Sequence, residues 1–416
     1  MTQVASEQQT TSAPKPKKKR LPPHSVGPLN LLVLQPTPFC NLDCAYCYLP
    51  GRTKKDRMPI ETAEKSIVRA MESGLVAKKF SIVWHAGEPL VMEKDWYREA
   101  DKLVQKHCKG VEVTHNFQTN AVLVTDSWCD LFKSMNTRMG VSIDGPQHIH
   151  DAYRKTRAGK GTHKSVMKGV ECLHKNDIPF HVIAVVTKDF LQDYEAALDF
   201  FEDVGMTSVG FNVEEFEGNH EDTSLDHNAG TRHLFREFTR ECYKRHSAGR
   251  LNIREVREYE KFIQHADKPR LMKTQQTVPF RIITVGHDGD FSSFSPELHA
   301  MEMNGEPFVF GNVHDNAYLD AFANPMFARY MNEIIEGYSA CKKSCAFFDV
   351  CAGGSPGNKQ FELGTMAGTE TLFCDYRVKE TVTILRDEMG LDPIVDDHPA
   401  LMPQASAAAA EFSKTR

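Results

Sequence analysis

The sequence predicts an α/β protein in which parallel strands carry helices on their outer side, as an open sheet or a partial (β/α)6 TIM-like barrel. Three observations lead there. Short apolar, β-prone runs alternate with amphipathic helical stretches, and the alternation repeats six times between residues 29 and 213. Successive parallel strands need a crossover that covers the sheet, and a helix supplies it. A cysteine-rich stretch beyond residue 340 adds a second, smaller domain.

The chain opens on MTQVASEQQTTSAPKPKKKR, polar and without an apolar stretch, so residues 1–27 read as a disordered basic tail and not as a signal peptide. Its basic run, Lys15 and residues 17–20, is a solvated tail on the plain reading; capture of an acidic leader peptide is the alternative. The first strand is LNLLVLQ at 29–35. KFSIVW (79–84), VEVTHNF (111–117), RMGVSI (138–143), FHVIAVV (180–186) and SVGFNV (208–213) follow. Between the first two, PIETAEKSIVRAMESG reads as a helix opened by Pro59 and closed by Gly74. Residues 28–228 are expected to form the barrel. A helical bridge at 229–280, which also covers the site, a second domain at 281–390 and a flexible tail at 391–416 complete the division.

With 416 residues, 41% hydrophobic and 25% charged, the chain can bury a large core. A net charge of −6 gives no global attraction to nucleic acid or anionic membrane, and no apolar run is long enough to span a bilayer. A cytoplasmic protein is expected.

In parallel α/β folds, ligands sit at the carboxyl ends of the strands. CNLDCAYC, after the first run, spaces Cys40, Cys44 and Cys47 as C-x3-C-x2-C. Closed zinc and structural iron-sulfur sites take four protein ligands, so a local triplet suggests a metal with one open position. WHAGEPL, after the second run, carries Gly87 and Glu88 in a loop small enough for close backbone approach. Gln118 and Asn120 end the third run. Ser142 and Asp144 end the fourth, ahead of HDAYRKTRAGKGTH with Arg154. Each alone is ordinary turn chemistry, but all lie on one rim.

The cysteine triplet, AGEP and SIDG, in this order over residues 28–220, resemble the radical S-adenosylmethionine (SAM) superfamily. The resemblance implies that three thiolates hold a [4Fe-4S] cluster whose fourth iron binds SAM. One-electron reduction then yields a 5'-deoxyadenosyl radical that abstracts a substrate hydrogen. It further implies that Gly87 and Glu88 support the SAM amino group, although Ala86 stands where a glycine is usual. Ser142 and Asp144 would lie by the ribose or methionyl part. Arg154, with Arg157 as its rival, would pair with the SAM carboxylate. Gln118 and Asn120 are candidates for the ribose or the substrate backbone, strand-end capping being the alternative. Tyr46 shields the cluster and adenine, or simply packs. A one-electron reductant such as flavodoxin or ferredoxin is implied.

Cys341, Cys345 and Cys351 follow as C-x3-C-x5-C, and Cys374 arrives after a glycine-rich loop. Four thiolates alone would suit zinc or an iron-sulfur cluster. Behind a radical SAM domain they resemble a shortened SPASM-like iron-sulfur domain of peptide- and protein-modifying enzymes, which implies an auxiliary [4Fe-4S] cluster. The full SPASM pattern holds two. Here Phe294 stands where the G-x4-C segment counted from Gly289 needs a cysteine, and Ser355 stands at the fourth position of the run, so one auxiliary cluster is expected. In sulfatase-maturase relatives an acid follows that cysteine; Ser295 in its place disfavours formylglycine formation. Glu297, then Asp290, are candidate bases, an exposed loop carboxylate being the alternative.

FSPEL, FGNV and TETLFC resemble the GrrM-type branch, maturases of glycine-rich ribosomally made peptides. The resemblance implies a precursor peptide with a leader, and a cyclophane that joins an aromatic ring carbon to a nearby β-carbon. Epimerisation, side-chain oxidation and a non-catalytic peptide-binding iron-sulfur module are the alternatives. Cys108, Cys129, Cys172 and Cys242 read as small buried apolar residues. Clusters need a reducing setting, so eleven cysteines do not predict disulfides.

Overall fold

The computed structural model describes residues 26–263 and 274–394. The basic run at 15–20, part of the bridge at 264–273 and the tail from 395 on lie outside the described residues. The fold is mixed α/β. Six parallel strands, β1 (Leu29–Leu34), β2 (Val76–Trp84), β3 (Glu112–Thr119), β4 (Thr137–Ser142), β5 (Phe180–Val186) and β6 (Ser208–Val213), pair in chain order. β1 is covered on both faces, which is why Leu32, Val33 and Leu34 are all buried and its run is continuously apolar. β5 alternates in burial along its second half instead, with Val182, Ala184 and Val186 inward.

The connecting helices follow from apolar spacing and helix punctuation. Helix Ile60–Glu72 begins after Pro59, buries Ala63, Ile67 and Ala70 on one face, and ends before Gly74, whose φ is +67°. Helices Lys94–His107 and Asp126–Ser134 close over β2 and β3 through Trp84, Tyr97, Phe117 and Trp128, packed mostly edge to face. His115 satisfies the Trp84 indole: Trp84 Nε1 donates to its Nδ1 at 3.2 Å, and its Nε2 lies 3.1 Å from Asp101.

The sheet does not stop at the barrel. β7 (Asn252–Ile253) extends it beside β6. At the opposite edge β8 (Ile282–Val285) pairs in parallel with β1, β9 (Asp290–Ser293) runs antiparallel to β8, and β12 (Gly311–Asn312) antiparallel to β9. Among the described residues, only β10 (Glu302–Met303) and β11 (Glu306–Pro307) form a separate pair. The segment that begins near 281 therefore caps the otherwise open edge of β1, which leaves its backbone groups paired. Helix Ala229–Ser247 is bound to the C-terminal helical segment by ion pairs of Arg232 with Asp375, of Arg232 and Arg236 with Glu380, and of Arg240 with Asp387.

Candidate functional site

The triplet occupies the loop between β1 and helix Ile60–Glu72. Cys40 N donates to Arg52 O (3.1 Å), Cys47 N to Cys44 O (3.3 Å), and Leu42 N points at Cys40 Sγ (3.4 Å). Arg157 is engaged in bracing this loop, donating through Nη2 to Cys40 O (2.8 Å) and Arg52 O. Gly87 seats the next rim loop against it. With φ at +57°, a Cβ at Gly87 would stand 2.4 Å from Phe39 O and 2.6 Å from Thr37 O. Only glycine allows that approach.

Glu88 joins three rim loops. Its N–H donates to Phe39 O (2.8 Å), and its carboxylate, 1% exposed, accepts from Leu90 N (3.0 Å), Thr119 Oγ1 (2.6 Å) and Asn120 N (2.8 Å). Burial outweighs those donors and pushes its carboxyl up to about 7. The side chain is thus turned to the end of β3. Asn120 lies against the cysteine loop, with Nδ2 2.8 Å from Asn41 Oδ1 and 3.9 Å from Cys40 Sγ. Gln118 Nε2 donates to Ser142 Oγ (2.8 Å) across adjacent strand ends.

Asp144 gathers residues that the sequence left separate. It is 2% exposed and accepts from Arg154 Nε (2.9 Å) and Nη2 (3.0 Å), Val185 N (2.9 Å) and the Tyr46 hydroxyl. Burial opposes its charge, but the Arg154 guanidinium prevails and holds the carboxyl below its ordinary range. The Tyr46 ring stacks on Tyr153 at 5.6 Å and receives Arg154 Cζ at 5.3 Å.

The second cysteine group also converges. Cys341 lies in the last turn of helix Pro325–Ser344, Cys345 follows that helix, Cys351 ends helix Phe348–Cys351, and all line one enclosed space with Cys374 and Lys359. Among the described residues, no three His, Cys, Asp or Glu close around a single ion. The four thiols surround a volume, and that donor set fits a cluster. All eleven cysteines are free; Cys108, Cys129 and Cys242 are buried, while Cys172 is half-buried.

Where the G-x4-C pattern needs a thiol, Phe294 is buried in the left-handed region (φ +77°), stacked on Phe327 at 5.6 Å and edge-on to Phe310 at 6.3 Å. Ser295 and Ser355 face each other at 3.3 Å, and Ser295 Oγ also accepts from Gly357 N at 3.2 Å. Aromatic packing and paired hydroxyls stand at the missing thiol positions.

Between the barrel rim and the second cysteine group lies an open cavity of about 660 Å³. Tyr48 and His85 line it beside the triplet loop, helix Arg254–Ile263 contributes Tyr259 and Phe262, and Cys351, Ser355 and Phe373 line both this cavity and the cysteine-lined space. Glu297 enters it together with Glu215 and Glu217. Burial raises all three carboxyls, Glu215 to about 7, and at Glu217 the neighbouring Glu215 and Glu297 carboxylates add to the effect. Glu215 accepts from Asn358 Nδ2. Burial also holds His85 down at about 4, so its ring is neutral. Asp290 is not among the cavity-lining residues; it accepts from Asn312 Nδ2 at 2.9 Å beside the β8–β9 turn. Glu215 and Glu217 went unread in the sequence, although VEEFEG follows the sixth run on the same rim.

A partial barrel with an open cysteine triplet on its carboxyl rim defines a cluster-bearing enzyme class. Residues 34–219 match the Radical SAM superfamily. An uncharacterized protein of Synechocystis sp., sll1766, is 37% identical over 379 residues, covering 88% of this chain and 94% of that one. Residues 34–219 of the chain are thus a radical SAM domain. A serine-type anaerobic sulfatase-maturating enzyme of Bacteroides thetaiotaomicron is 37% identical over 180 residues, 42% of each chain. This protein is a radical SAM enzyme related to such maturases. Native anSMEcpe with bound AdoMet and Cp18Cys peptide shares the fold, with a TM-score of 0.70 at 20% identity over 86% of this chain and 97% of that one. Among the described residues no helix is long and apolar enough to cross a membrane.

Proposed function

We propose that this enzyme matures a ribosomally made glycine-rich precursor peptide, joining an aromatic ring carbon to the β-carbon of a nearby residue. One observation carries the reading: an aromatic-walled cavity with three half-buried carboxylates runs from the triplet loop to the second cysteine group. With Cys40, Cys44 and Cys47 as ligands, a [4Fe-4S] cluster and SAM would supply hydrogen abstraction from an unactivated carbon.

The chain's own residues do the rest. Glu88 fixes the loop next to the cysteines, so any service of this loop to the SAM amino group runs through backbone. Asp144 holds Arg154 and Tyr46 on the same rim, and Gln118 with Ser142 supplies a polar pair beside them. Tyr48, Tyr259, Phe262 and Phe373 give a peptide's aromatic side chain apolar walls and exclude water. Rearomatisation of a joined ring releases one proton and one electron. The acidic group formed by Glu297, Glu215 and Glu217 accepts the proton; Asp290 is set aside as a base because its carboxylate is bound elsewhere. Cys341, Cys345, Cys351 and Cys374 would hold one auxiliary [4Fe-4S] cluster at the cavity's edge. Residues 28–228, 229–280 and 281–390 are assigned as barrel, bridge and shortened SPASM-like domain, and a flavodoxin or ferredoxin as the reductant.

Formylglycine formation is the second reading, favoured by the match to a sulfatase-maturating enzyme. Against it, Ser295 stands where that reaction's acid is expected and is already bonded to Ser355 and Gly357. The test is anaerobic coexpression with a glycine-rich peptide encoded beside the gene, using wild type and Cys44→Ala. Tandem mass spectrometry should find two hydrogens lost per motif, fragmentation suppressed between an aromatic residue and its neighbour, and no reaction with a carbonyl reagent. A carbonyl signal would support the second reading; unchanged mass with inverted stereochemistry would replace both with epimerisation.

A further inference from the structure

We propose that Lys359 is a positioning residue that raises the reduction potential of the auxiliary cluster through its ammonium group on the Cys341 sulfur. This rests on the auxiliary-cluster reading above. Lys359 is 4% exposed, and among the described residues no Asp or Glu stands within ion-pair distance of it. Its Nζ instead lies 3.5 Å from Cys341 Sγ, in the space lined by all four cysteines. A lysine buried without an anion is costly, and a thiolate-bound cluster is the anion this geometry offers.

The surrounding backbone preserves that contact. Gly337, on helix Pro325–Ser344, passes so close that a Cβ there would stand 3.1 Å from Lys359 Nζ and 2.3 Å from Met366 O. Lys359 belongs to helix Pro356–Leu363, begun by Ser355, whose Oγ accepts from Asn358 N at 3.5 Å. The ammonium therefore lies buried between two helices.

A cluster gains one electron with no bond made or broken, and its net negative charge grows by one. An N–H donor and a positive charge at a ligating sulfur stabilise that reduced form more than the oxidised form, which moves the potential upward. An auxiliary cluster so placed is a better acceptor for an electron released in the cavity.

The test uses the full-length chain with Cys40, Cys44 and Cys47 all changed to alanine, so that one cluster is read. Its midpoint potential is measured by dithionite titration followed by electron paramagnetic resonance, for Lys359, Lys359→Met and Lys359→Arg. Lys359→Met should weaken reduction at least tenfold in equilibrium constant, about 59 mV for one electron, and Lys359→Arg should retain most of the parent value. An unchanged potential in Lys359→Met at full iron content overturns the proposal. Lys359→Gln, which keeps a donor without charge, guards against loss of the cluster. Should neither neutral variant retain iron, Lys359 is needed to build the site and the tuning role fails. None of these readings involves the peptide, so failure of the cyclophane reading leaves them intact. A triple-alanine parent without iron removes the auxiliary cluster itself, and the proposal with it.

Discussion

The contact between Gly87 and the cysteine loop can be isolated experimentally, because the chain supplies its own control. Gly87 and Gly74 both sit in the left-handed region, at φ +57° and +67°, but a Cβ on Gly74 meets nothing within 4 Å while one on Gly87 meets Phe39 O at 2.4 Å. Alanine at either position pays the left-handed penalty of about 1–2 kcal/mol. Only Gly87→Ala must also push back the backbone at 37–39. That atom is carbonyl oxygen held in a hydrogen bond with Glu88 N, and no flexible side chain is available to yield. Overpacking of this kind costs about 1–3 kcal/mol, so the two variants should differ by that amount in urea unfolding. The loop that moves carries Cys40. Gly87→Ala should therefore bind less iron at the triplet on anaerobic reconstitution and make little deoxyadenosine, while Gly74→Ala matches wild type in both. Equal unfolding midpoints and equal iron in the two variants would refute the claim that the AGEP loop seats the cysteines.

Three other expectations follow from the same geometry. Asp144→Asn leaves Arg154 buried against a neutral partner, a change that costs about 3–5 kcal/mol in comparable pairs, and SAM affinity by equilibrium dialysis should fall at least roughly tenfold. Unaltered affinity would remove the Asp144–Arg154 pair from the SAM site. Crosslinking should rise with pH through the region around 7, because Glu215 is pushed up to about that value and takes a proton only when ionised. Deoxyadenosine formation, which precedes that proton transfer, should stay flat across the same window, and Glu215→Gln should abolish the pH step; a profile unchanged by Glu215→Gln assigns the proton elsewhere. Phe294→Ala empties part of the aromatic core and should cost about 3–5 kcal/mol in urea unfolding without changing iron content. A variant as stable as wild type would mean that this aromatic core does not stabilise the fold.

The six barrel strands were legible because each buries a continuous or alternating apolar run, and local periodicity reports burial directly. β8 was not, since IITV is only four residues long and its partner, β1, lies about 250 positions earlier. A parallel pairing over that separation leaves no local trace. At the site, residue types with one strong chemistry were readable: thiols at fixed spacing, and a glycine beside an acid in a tight loop. Side-chain direction was not. Glu88 could be placed on the rim, but its turn toward Thr119 and Asn120 depends on where β3 ends relative to β2. Glu215 and Glu217 escaped for the opposite reason. Glutamates after a strand are ordinarily solvated, and only the three-dimensional fold brings these two into one cavity with Glu297, Tyr259 and Phe373.

The missing thiols and the surviving cysteine site are linked through helix Pro356–Leu363. Its first turn sits where Ser355 replaces a cysteine, and Ser355 uses its hydroxyl to cap that helix and to meet Ser295. A cysteine committed to a metal would leave both tasks undone. The helix so capped presents two adjacent residues in different directions, Asn358 to Glu215 in the cavity and Lys359 to Cys341 in the cysteine-lined space. Adjacent positions on a helix are about 100° apart and rigidly related. The spacing between Glu215, in the proposed proton-accepting group, and Cys341, a proposed ligand of the auxiliary cluster, is therefore set by one short helix. A serine at 355 does more than leave the SPASM-like pattern a thiol short: its hydroxyl caps this helix and meets Ser295.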